Sequence, residues 1–528
     1  MRVALIRPLS RCPTYDPEIQ EPLGIELLAA VLRAAGHDVL LKDAMLLALL
    51  EDEMAQTVVA FRPQVIGLSL MSDADIESAT VLINHIRTLS VSRLVFVVGG
   101  SFVSTEPERV ASLLPAGTSL IRYEGERPLL RLLEALEKCE PLENVPSLAW
   151  REGEEFNASS TCDWVEDLDS LPWPARDSAQ QVAARCGTMN VQGSRGCTGC
   201  CTYCCMPSFP RPFGQSWRGR SPENIAQELA ELNRNYGVVA FNFVDDDFLG
   251  PAQHAEERAL AFADAICRRN LRIGFGAQLR PSTLTPKTID ALARAGLAWA
   301  FLGVENDDPV TLRAWRRPPV TDGIWRAFSQ LAEHHVEVAA GAILFHPGAT
   351  LDAVQRFAHK LAQHKMLNYR TATSRLHLLP GSPLYEQYGH DGQIPVNVTG
   401  PYTPPIQDVK VQGLFDHLSR SVAPLRPCWI HAACQLPGFV SQSKAGHAVT
   451  QELRVIQGVL EDMDAWVCEV LNTVIAGIAR DAVDHDWLTR AHSHSREIAL
   501  SACERLQKAG LVSHPGQLRE AIDVEGGL

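Results

Sequence analysis

Short apolar runs and amphipathic helical stretches alternate over the first 140 residues. The runs RVALI, DVLL, VIGLSL and LVFVVGG have the length and the apolar, often β-branched character of buried strands. Between them, apolar residues recur at helical spacing in GIELLAAVLRAAG (24–36) and DIESATVLINHIRTL (75–89). This alternation predicts an α/β domain on a doubly wound parallel sheet, a fold that binds ligands beyond the carboxyl ends of its strands.

A second alternating pattern runs from residue 186 to 395. Its apolar runs predict six strands, at 188–193, 238–244, 271–277, 298–304, 337–345 and 371–379. Helical patterns separate these runs, and Ser221 and Pro222 mark the start of one helix as its N-cap and first residue. The pattern predicts a partial (β/α)6 barrel of the TIM type, too short to close with eight strands.

The two remaining segments differ in pattern from these domains. Residues 141–185 are rich in Pro, Asp and Trp with little periodicity, which predicts a linker. Much of 396–528 has helical periodicity, which predicts a helical domain that caps the barrel and contributes to substrate binding. The predicted order is therefore a sheet domain (1–140), a linker (141–185), a partial barrel (186–395) and a helical cap (396–528).

Charge and composition narrow the classes of function. The chain has 48 basic and 62 acidic residues and a net charge of −14, which disfavours nucleic acid as a partner. No stretch approaches eighteen uncharged apolar residues, and MRVALIRPLS has no apolar signal-peptide segment after its basic residues. We therefore expect a cytoplasmic protein that does not associate with membranes. Fourteen cysteines are too sparse for a disulfide scaffold and favour a reducing compartment with one metal site.

Five of these cysteines fall within nine positions of SRGCTGCCTYCC (194–205). Cys197, Cys201 and Cys204 have CxxxCxxC spacing, whereas Cys200 and Cys205 fall outside it. Three thiolates on a tight loop can hold three irons of a 4Fe–4S cluster and leave the fourth iron open. S-adenosylmethionine (SAM) can chelate that iron and be cleaved by an electron from the cluster. Zinc is the alternative, but it requires four ligands in paired groups, and no second pair lies at a suitable spacing.

Small and polar residues follow three predicted strands of the first domain. They are Ser69, Met71 and Ser72 in LSLMSD, Gly99, Gly100 and Ser101 in VVGGSF, and Glu124, Gly125 and Glu126 in RYEGE. Adjacent glycines let a backbone approach a flat or bulky ligand, and serine hydroxyls can donate hydrogen bonds to it. A tight turn without a ligand is the alternative explanation for a glycine pair.

Together with PLGIELLAAVLRAAGHDV, these strand exits resemble the cobalamin-binding domain that precedes the catalytic domain in one large class of radical SAM enzymes. The CxxxCxxC segment, with SRGC before it and Tyr203 before its last cysteine, resembles the radical SAM signature. The resemblance extends over about residues 20 to 390. It implies that the nine exit residues contact cobalamin and that the cofactors are a 4Fe–4S cluster, SAM and cobalamin.

The resemblance also implies a set of SAM-binding residues. FVDDDF, AQLRPSTL and FLGVEN follow the second, third and fourth predicted barrel strands. The implied contacts are Tyr203, Asp245, Asp246, Gln278, Arg280 and Glu305. The aspartates would hold the SAM amino group, the arginine its carboxylate and the glutamate its ribose hydroxyls. A solvated acidic turn and a salt-bridged structural glutamate are the alternatives for these acidic residues.

One feature departs from the better-known cobalamin motif, which places a histidine two residues after an aspartate as the lower ligand of cobalt. Here Asp43 is followed by Ala44 and Met45, and neither His37 nor His85 has the required spacing. We therefore expect cobalamin without a histidine on its cobalt.

The resemblance implies an enzyme that moves a methyl group from SAM, by way of methylcobalamin, to an unreactive carbon of a small natural-product-type molecule. A radical rearrangement, ring contraction or cyclisation is the first alternative. A tRNA methylthiotransferase and a redox or light sensor are further alternatives. The expected partners are the small substrate and an electron donor of the flavodoxin or ferredoxin type. The sequence indicates neither the substrate nor the oligomeric state, and it assigns no further catalytic residue.

Overall fold

A computed structural model of the chain describes residues 1–10, 21–185, 188–206, 209, 217–395, 400–448, 451–512 and 514–526, without the side chain of residue 185. The strands in these residues are β1 (Arg2–Arg7), β2 (Asp38–Asp43), β3 (Val65–Ser69), β4 (Val95–Gly99), β5 (Thr118–Ile121), β6 (Leu148–Glu152), β7 (Glu155–Ala158), β8 (Thr188–Val191), β9 (Ser194–Gly196), β10 (Trp217–Gly219), β11 (Ala240–Phe243), β12 (Gly274–Leu279), β13 (Leu297–Glu305) and β14 (Glu337–Ala342).

The first ten helices in the described residues are α1 (Leu23–Ala34), α2 (Ala44–Leu47), α3 (Glu51–Phe61), α4 (Ile76–Leu89), α5 (Ser101–Thr105), α6 (Pro107–Leu113), α7 (Glu126–Lys138), α8 (Ala179–Arg185), α9 (Pro222–Tyr236) and α10 (Ala252–Arg268). The others are α11 (Pro286–Ala295), α12 (Pro309–Ala314), α13 (Asp322–Glu333), α14 (Leu351–Gln363), α15 (Tyr369–Ala372), α16 (Pro383–His390), α17 (Val409–Val422), α18 (Arg426–Lys444), α19 (Gln451–Ala479), α20 (His485–Lys508) and α21 (Pro515–Glu525). Short 3-10 turns occur at Asp73–Asp75, Leu142–Asn144, Leu168–Ser170, Pro281–Thr283 and Ala423–Leu425.

The chain divides into two compact units. The first contains Met1–Cys197, Cys204–Gly237 and Leu379–Gly400, and the second contains Thr198–Tyr203, Val238–Leu378 and Pro401–Leu528. The domain boundaries predicted from the sequence stay predictions, and those at residues 186 and 396 lie outside the described residues.

The first unit contains the predicted doubly wound sheet. Its strand order is β2-β1-β3-β4-β5-β6-β7, with parallel pairing from β2 to β5. Successive residues of β1 enter opposite cores, because Val3 and Leu5 face one layer of helices and Ala4 and Ile6 face the other. Helices α1 and α7 line the first core, and helices α3 to α6 line the second. The predicted α/β fold with helices on both faces is thus confirmed.

Two strands of this sheet were not predicted. β6 and β7 belong to the segment expected to be a linker, and they pair antiparallel to β5 and to each other. Leu148 and Ala149 on β6 are fully buried, so the hairpin extends the sheet and covers an edge. The apolar run that forms β6 is short and ends in charged residues, which explains why periodicity alone did not reveal it.

The second unit contains a second parallel sheet, which confirms that part of the predicted fold. β11, β12, β13 and β14 pair in parallel in this order. The sixth predicted strand, at 371–379, is not formed in this way. Its start belongs to α15, and Arg375 makes one isolated parallel bridge to Phe345. Asn368 caps α15 with its side-chain oxygen, and this local hydrogen bond favours a helical turn where the sequence predicted an extended run.

The carboxyl-terminal segment is helical, as predicted, and consists mainly of α17 to α21. Helix α18 contacts β11, β12 and β13. At Gly274, the first residue of β12, a Cβ atom would lie 1.9 Å from the carbonyl oxygen of Ser441 on this helix. Glycine is therefore required at position 274. Because Gly274 is the first residue of β12, α18 packs against the amino end of this strand. Among the described residues, no helix combines the length and the apolar content needed to cross a membrane.

Candidate cofactor-binding sites

A cavity of about 220 Å³ lies at the carboxyl end of the parallel strands in the first unit. The strand order reverses between β1 and β3, which is where doubly wound sheets bind ligands. The residues that line the cavity are Leu5, Gly24, Ile25, Leu28, Gly67, Leu68, Ser69, Val97, Gly99, Gly100, Ile121, Tyr123, Glu124, Gly125, Glu126, Leu129 and Arg195. The volume is below the roughly 300–1,000 Å³ typical of pockets for whole small ligands, so the cavity suits one part of a larger cofactor.

Six of the nine predicted cobalamin contacts line this cavity. They are Ser69, Gly99, Gly100, Glu124, Gly125 and Glu126. The other three lie at the same strand ends but do not line it. The Met71 side chain is exposed, its backbone N–H donates to Asp75, and its sulfur lies 3.9 Å from the Ser101 hydroxyl. The Ser72 N–H also donates to Asp75, at 3.0 Å.

Glycine is structurally required at the end of β4. Gly100 has a φ of +114°, and a Cβ atom there would lie 2.1 Å from the carbonyl oxygen of Leu70. At Gly99 the nearest atom to a Cβ would be the carbonyl oxygen of Ile121 at 3.6 Å, an ordinary contact. The cavity wall is thus formed by backbone without side chains at Gly99 and Gly100. A side chain at Gly100 would be strained and would clash, whereas the space beside Gly99 is open for a ligand.

Two arginines neutralise the acidic residues of the cavity. Arg195 lies 3.0 Å from Glu124 and 2.6 Å from Glu126, and Arg218 also pairs with Glu124. Burial alone would raise the pKa of Glu124, but the two guanidinium groups lower it below its usual value. The sequence did not predict Arg195 or Arg218 as site residues. Their roles depend on pairing with glutamates about 70 to 90 positions away, although Arg195 stands in the SRGC segment.

No histidine occurs among the residues that line the cavity. Asp43 is buried and pairs with Arg7 at 2.7 Å, and the Met45 sulfur accepts a hydrogen bond from the Ser10 N–H at 3.1 Å. Cobalamin without a histidine ligand stays a prediction. The glycine-walled cavity at the switch point, with a charge-neutralised rim, fits part of a large planar cofactor of this kind.

The cysteine cluster lies on an irregular loop directly after β9. In the described residues, Cys197, Cys201 and Cys204 form no disulfide and are partly buried, and Cys205 has a similar exposure, whereas Cys200 is exposed. Cysteine thiols grouped on one loop are the donors that an iron–sulfur cluster requires. In the described residues, no three His, Cys, Asp or Glu side chains converge at metal-binding distances. The choice of ligands therefore stays a prediction from spacing.

Several predicted residues of the second unit meet around Arg317. Its Nη1 lies 3.7 Å from the Cys201 sulfur, its Nη2 lies 3.9 Å from Glu305, and it also donates to the Gly303 carbonyl. Burial raises the pKa of Glu305 although Arg317 and the Tyr203 hydroxyl oppose this effect. The Tyr203 ring packs edge-on against Trp315, with 5.4 Å between centroids. The structure thus groups Cys201, Tyr203 and Glu305, and the arginine that joins them was not predicted.

Arg280 contacts the third aspartate of FVDDDF rather than the two predicted SAM ligands. Its Nε lies 2.7 Å from Oδ2 of Asp247, and its Nη2 donates to the Gly250 carbonyl at 2.7 Å. Asp247 also accepts hydrogen bonds from the Thr198 hydroxyl and the Gly250 N–H. The predicted residue Asp245 is buried. Asp247 was missed because three adjacent aspartates give no indication of which one faces inward.

Two further predicted SAM contacts lie beside this pair. The Asp246 side chain reaches solvent, but the protein around it displaces part of its hydration. This desolvation and the neighbouring Asp247 carboxylate raise the pKa of Asp246 to about 6. Gln278 is half-buried near the carboxyl end of β12, and its carbonyl accepts a hydrogen bond from the Phe248 N–H. Both stand at strand exits, where such barrels place their active sites.

Helix α18 contains Cys428, His431 and Cys434, whose spacing in CWIHAAC is similar to that of metal ligands. His431 Nε2 lies 2.8 Å from the Leu511 carbonyl, and the Cys428 thiol donates to the Ala499 carbonyl at 3.3 Å. These contacts join α18 to α20 and to the segment that follows it. They give the histidine and the buried cysteine a structural role.

Two family models match separate parts of the chain. The B12 binding domain model matches residues 17–133, and the radical SAM superfamily model matches residues 191–361. Together they cover just over half of the chain. The radical SAM domain implies a 4Fe–4S cluster and SAM as cofactors, and the B12 binding domain implies cobalamin.

The chain is similar to curated proteins with different activities. It is 28% identical over 292 residues to an uncharacterized methyltransferase of Pyrococcus horikoshii, which covers 54% of this chain and 61% of the relative. It is also 28% identical over 347 residues to the anaerobic magnesium-protoporphyrin IX monomethyl ester cyclase of Synechocystis, which covers 64% of this chain and 67% of the relative. The chain thus spans about three fifths to two thirds of these relatives.

A solved structure shares the fold over the whole chain. The cobalamin-dependent S-adenosylmethionine radical enzyme OxsB, with aqua-cobalamin bound, aligns with 100% of this chain and 84% of its own, at a TM-score of 0.75 and 16% identity. This similarity confirms the succession of a parallel sheet, a second parallel sheet and a helical end. The two domain matches and this shared fold identify the chain as a member of the cobalamin-binding radical SAM family.

Proposed function

We propose that the chain is a C-methyltransferase that moves a methyl group from SAM to an unreactive carbon of a small, natural-product-type molecule. The observation that supports the proposal is that one chain has two candidate cofactor sites. One is the glycine-walled cavity of the first unit, and the other is the group of Cys201, Tyr203 and Glu305 in the second. The similarity to a methyltransferase supports the class of group transferred.

The chemistry requires both cofactors. When bound, the reduced cluster supplies the electron that cleaves SAM to a 5′-deoxyadenosyl radical, and cobalamin supplies the methyl group. Cys197, Cys201 and Cys204 would hold three irons. Arg317 would place its positive charge beside this cluster, because its Nη1 lies 3.7 Å from the Cys201 sulfur.

Other side chains of the second unit orient SAM. Glu305 is held by Arg317, so its carboxylate is fixed in place for hydroxyl groups of the ribose. Asp246 would accept from the SAM amino group, and Gln278 stands at the neighbouring strand exit. Arg280 retains one terminal nitrogen, Nη1, beyond its contacts with Asp247 and Gly250, and this nitrogen is available to the SAM carboxylate.

The proposal includes an electron source and a compartment. We expect a small flavodoxin or ferredoxin to reduce the cluster, because these proteins donate single electrons at low potential. Clustered cysteines that form no disulfide are typical of reducing compartments, so we place the reaction in the cytoplasm.

A cyclisation or rearrangement is the second candidate function. The similarity to the magnesium-protoporphyrin ester cyclase favours it. Both reactions start with cleavage of SAM to 5′-deoxyadenosine, but only methyl transfer also yields S-adenosylhomocysteine. The two coproducts therefore separate the candidates.

The proposal is tested by anaerobic purification with iron, sulfide and cobalamin supplied, followed by incubation with SAM and dithionite. We expect the protein to retain cobalamin and to form 5′-deoxyadenosine. Absence of bound cobalamin together with absence of both SAM coproducts would overturn the proposal. A Cys201→Ala variant is the matched control, since it should lose SAM cleavage and keep cobalamin.

A further inference from the structure

Strand β13 has two faces with different exposure. Trp299, Phe301, Gly303 and Glu305 are half-buried, whereas the residues between them are fully buried. Trp299, Phe301 and Gly303 share one face because side chains alternate along a strand. The pairing with β14 shifts register between Gly303 and Glu305, but the Glu305 carboxylate still lies on this face, since a Cβ at Gly303 would be 2.6 Å from it. Glu305 is one of the proposed SAM contacts, so this face belongs to the reactive side of the sheet.

Arg370 on α15 lies over this face. Its guanidinium carbon stands 5.3 Å from the centre of the Phe301 ring, a cation–π arrangement. Glu305 and Cys434 of α18 are near enough to act on it electrostatically, yet burial outweighs them and lowers the pKa of Arg370 below its usual value. The side chain nevertheless remains accessible to solvent. Arg370 thus packs against an aromatic ring while part of its side chain stays open to solvent.

The backbone that carries Arg370 is fixed from the helical domain. The preceding residue, Tyr369, donates its N–H to Asp464 of α19 at 2.9 Å, and the Trp429 indole N–H donates to the same oxygen at 2.8 Å. Asp464 thus joins α15 to two helices of the carboxyl-terminal segment. The fold therefore sets the backbone position from which Arg370 extends.

Across the residues that the structure describes, no acidic side chain pairs with Arg370 and no oxygen accepts a hydrogen bond from it. The two nearby arginines differ, because Arg317 contacts Gly303 and Glu305, and Arg280 contacts Asp247. A guanidinium presents five N–H donors in a planar fork, and stacking on a ring leaves the edge of that fork free.

We propose that Arg370 anchors an oxyanion of the substrate, a carboxylate or a phosphate, on the half-buried face of β13. This inference rests on the proposed function and deepens it, since it assigns the substrate to the acidic small molecules. A forked guanidinium binds two oxygens of such a group at once and fixes its orientation beside the SAM site. Arg370 is a binding residue in this proposal and takes no part in bond making.

The test measures the accessibility of single arginines to phenylglyoxal in the full-length, cofactor-loaded protein. Peptide mass spectrometry follows the rate of modification at Arg370, and at Arg313 of α12 as an exposed control. We expect inorganic phosphate or acetate to slow modification of Arg370 several-fold and to leave Arg313 unchanged. The anion that acts at the lower concentration identifies phosphate or carboxylate as the preferred group.

Three results would overturn the proposal. The first is equal protection of Arg370 and Arg313 by the anions, and the second is failure of Arg370 to react at all. The third is strong protection by SAM alone, which would assign Arg370 to the SAM carboxylate instead of the substrate. None of these readouts depends on turnover. If the anions protect Arg370 but the protein never cleaves SAM, the proposed function is refuted and the anion site still stands.

Discussion

Arg280 and Asp247 form a buried ion pair, with Nε of the arginine 2.7 Å from Oδ2 of the aspartate. The aspartate side chain is fully buried and the arginine is 22% exposed. The carboxylate also accepts hydrogen bonds from Thr198 and Gly250. The pair therefore fixes the third strand exit of the proposed SAM site before SAM binds.

Removing the aspartate of this pair should destabilise the protein. Asp247→Ala leaves a largely buried guanidinium without its counter-charge, which costs about 3 kcal/mol in comparable pairs. The free energy of unfolding in urea measures the loss. Asp264→Ala, which breaks the exposed pair with Arg294, is the control and should cost at most about 1 kcal/mol. Equal losses in the two variants would show that the buried pair does not stabilise the fold.

The ligands of the iron–sulfur cluster can be identified by substitution. Replacing Cys197, Cys201 or Cys204 with alanine should abolish the broad visible absorption of a reconstituted 4Fe–4S centre, because each supplies one iron ligand. Cys200→Ala and Cys205→Ala are the matched controls, and both should keep the absorption. Loss of the absorption in either control would mean that the CxxxCxxC register is wrong.

Binding of SAM should depend on the ionisation of Asp246. Burial and the neighbouring Asp247 raise the pKa of Asp246 to about 6, so the carboxyl is neutral below that pH and charged above it. Only the charged form attracts the SAM ammonium group. We therefore expect the Kd for SAM, measured by equilibrium dialysis, to increase as pH falls through about 6.

The Asp246→Asn variant should bind SAM weakly on both sides of pH 6, with this pH dependence removed. Asp264→Asn on α10 changes a carboxylate remote in sequence and should retain the wild-type profile. A wild-type profile in Asp246→Asn would show that another group controls the binding of SAM.

Two adjacent glycines should differ in their response to substitution. Gly100→Ala places a Cβ 2.1 Å from the Leu70 carbonyl oxygen at a positive φ, so it should lower the melting temperature. Gly99→Ala meets only an ordinary contact, so it should fold normally but retain less cobalamin, because its methyl group enters the cavity. Calorimetry and the absorption of bound cobalamin measure these effects. Normal cobalamin retention in Gly99→Ala would place the cofactor elsewhere.

The fold was largely predictable because its signals are local. Helical and strand periodicity identified the first sheet, and the spacing of Ser221 and Pro222 located the start of α9. The hairpin of β6 and β7 and the loss of the sixth strand were not predictable. The first depends on pairing with the edge strand β5, and the second depends on a capping hydrogen bond of Asn368.

The site residues were predictable only where they belong to a local motif of the sequence. Ser69, Gly99 and Glu124 line the cavity at the predicted strand exits, since Ser69 and Gly99 end β3 and β4 and Glu124 follows β5. Arg195 and Arg317 were not identified, because Arg195 pairs with Glu126 and Arg317 contacts Cys201, both far away in the chain, and arginine has no fixed spacing to them. Distant ion pairs of this type require the three-dimensional structure.

The central claim, methyl transfer by a radical route, is tested most directly by comparing the two coproducts of SAM. The cofactor-loaded protein is incubated with SAM, a reductant and a small-molecule extract of the cells that naturally produce it. Addition of the extract should increase 5′-deoxyadenosine and S-adenosylhomocysteine in equal amounts, because each methylation consumes one SAM for the radical and one for the methyl group. An increase of 5′-deoxyadenosine without S-adenosylhomocysteine would contradict methyl transfer and assign the protein to the rearranging or cyclising enzymes.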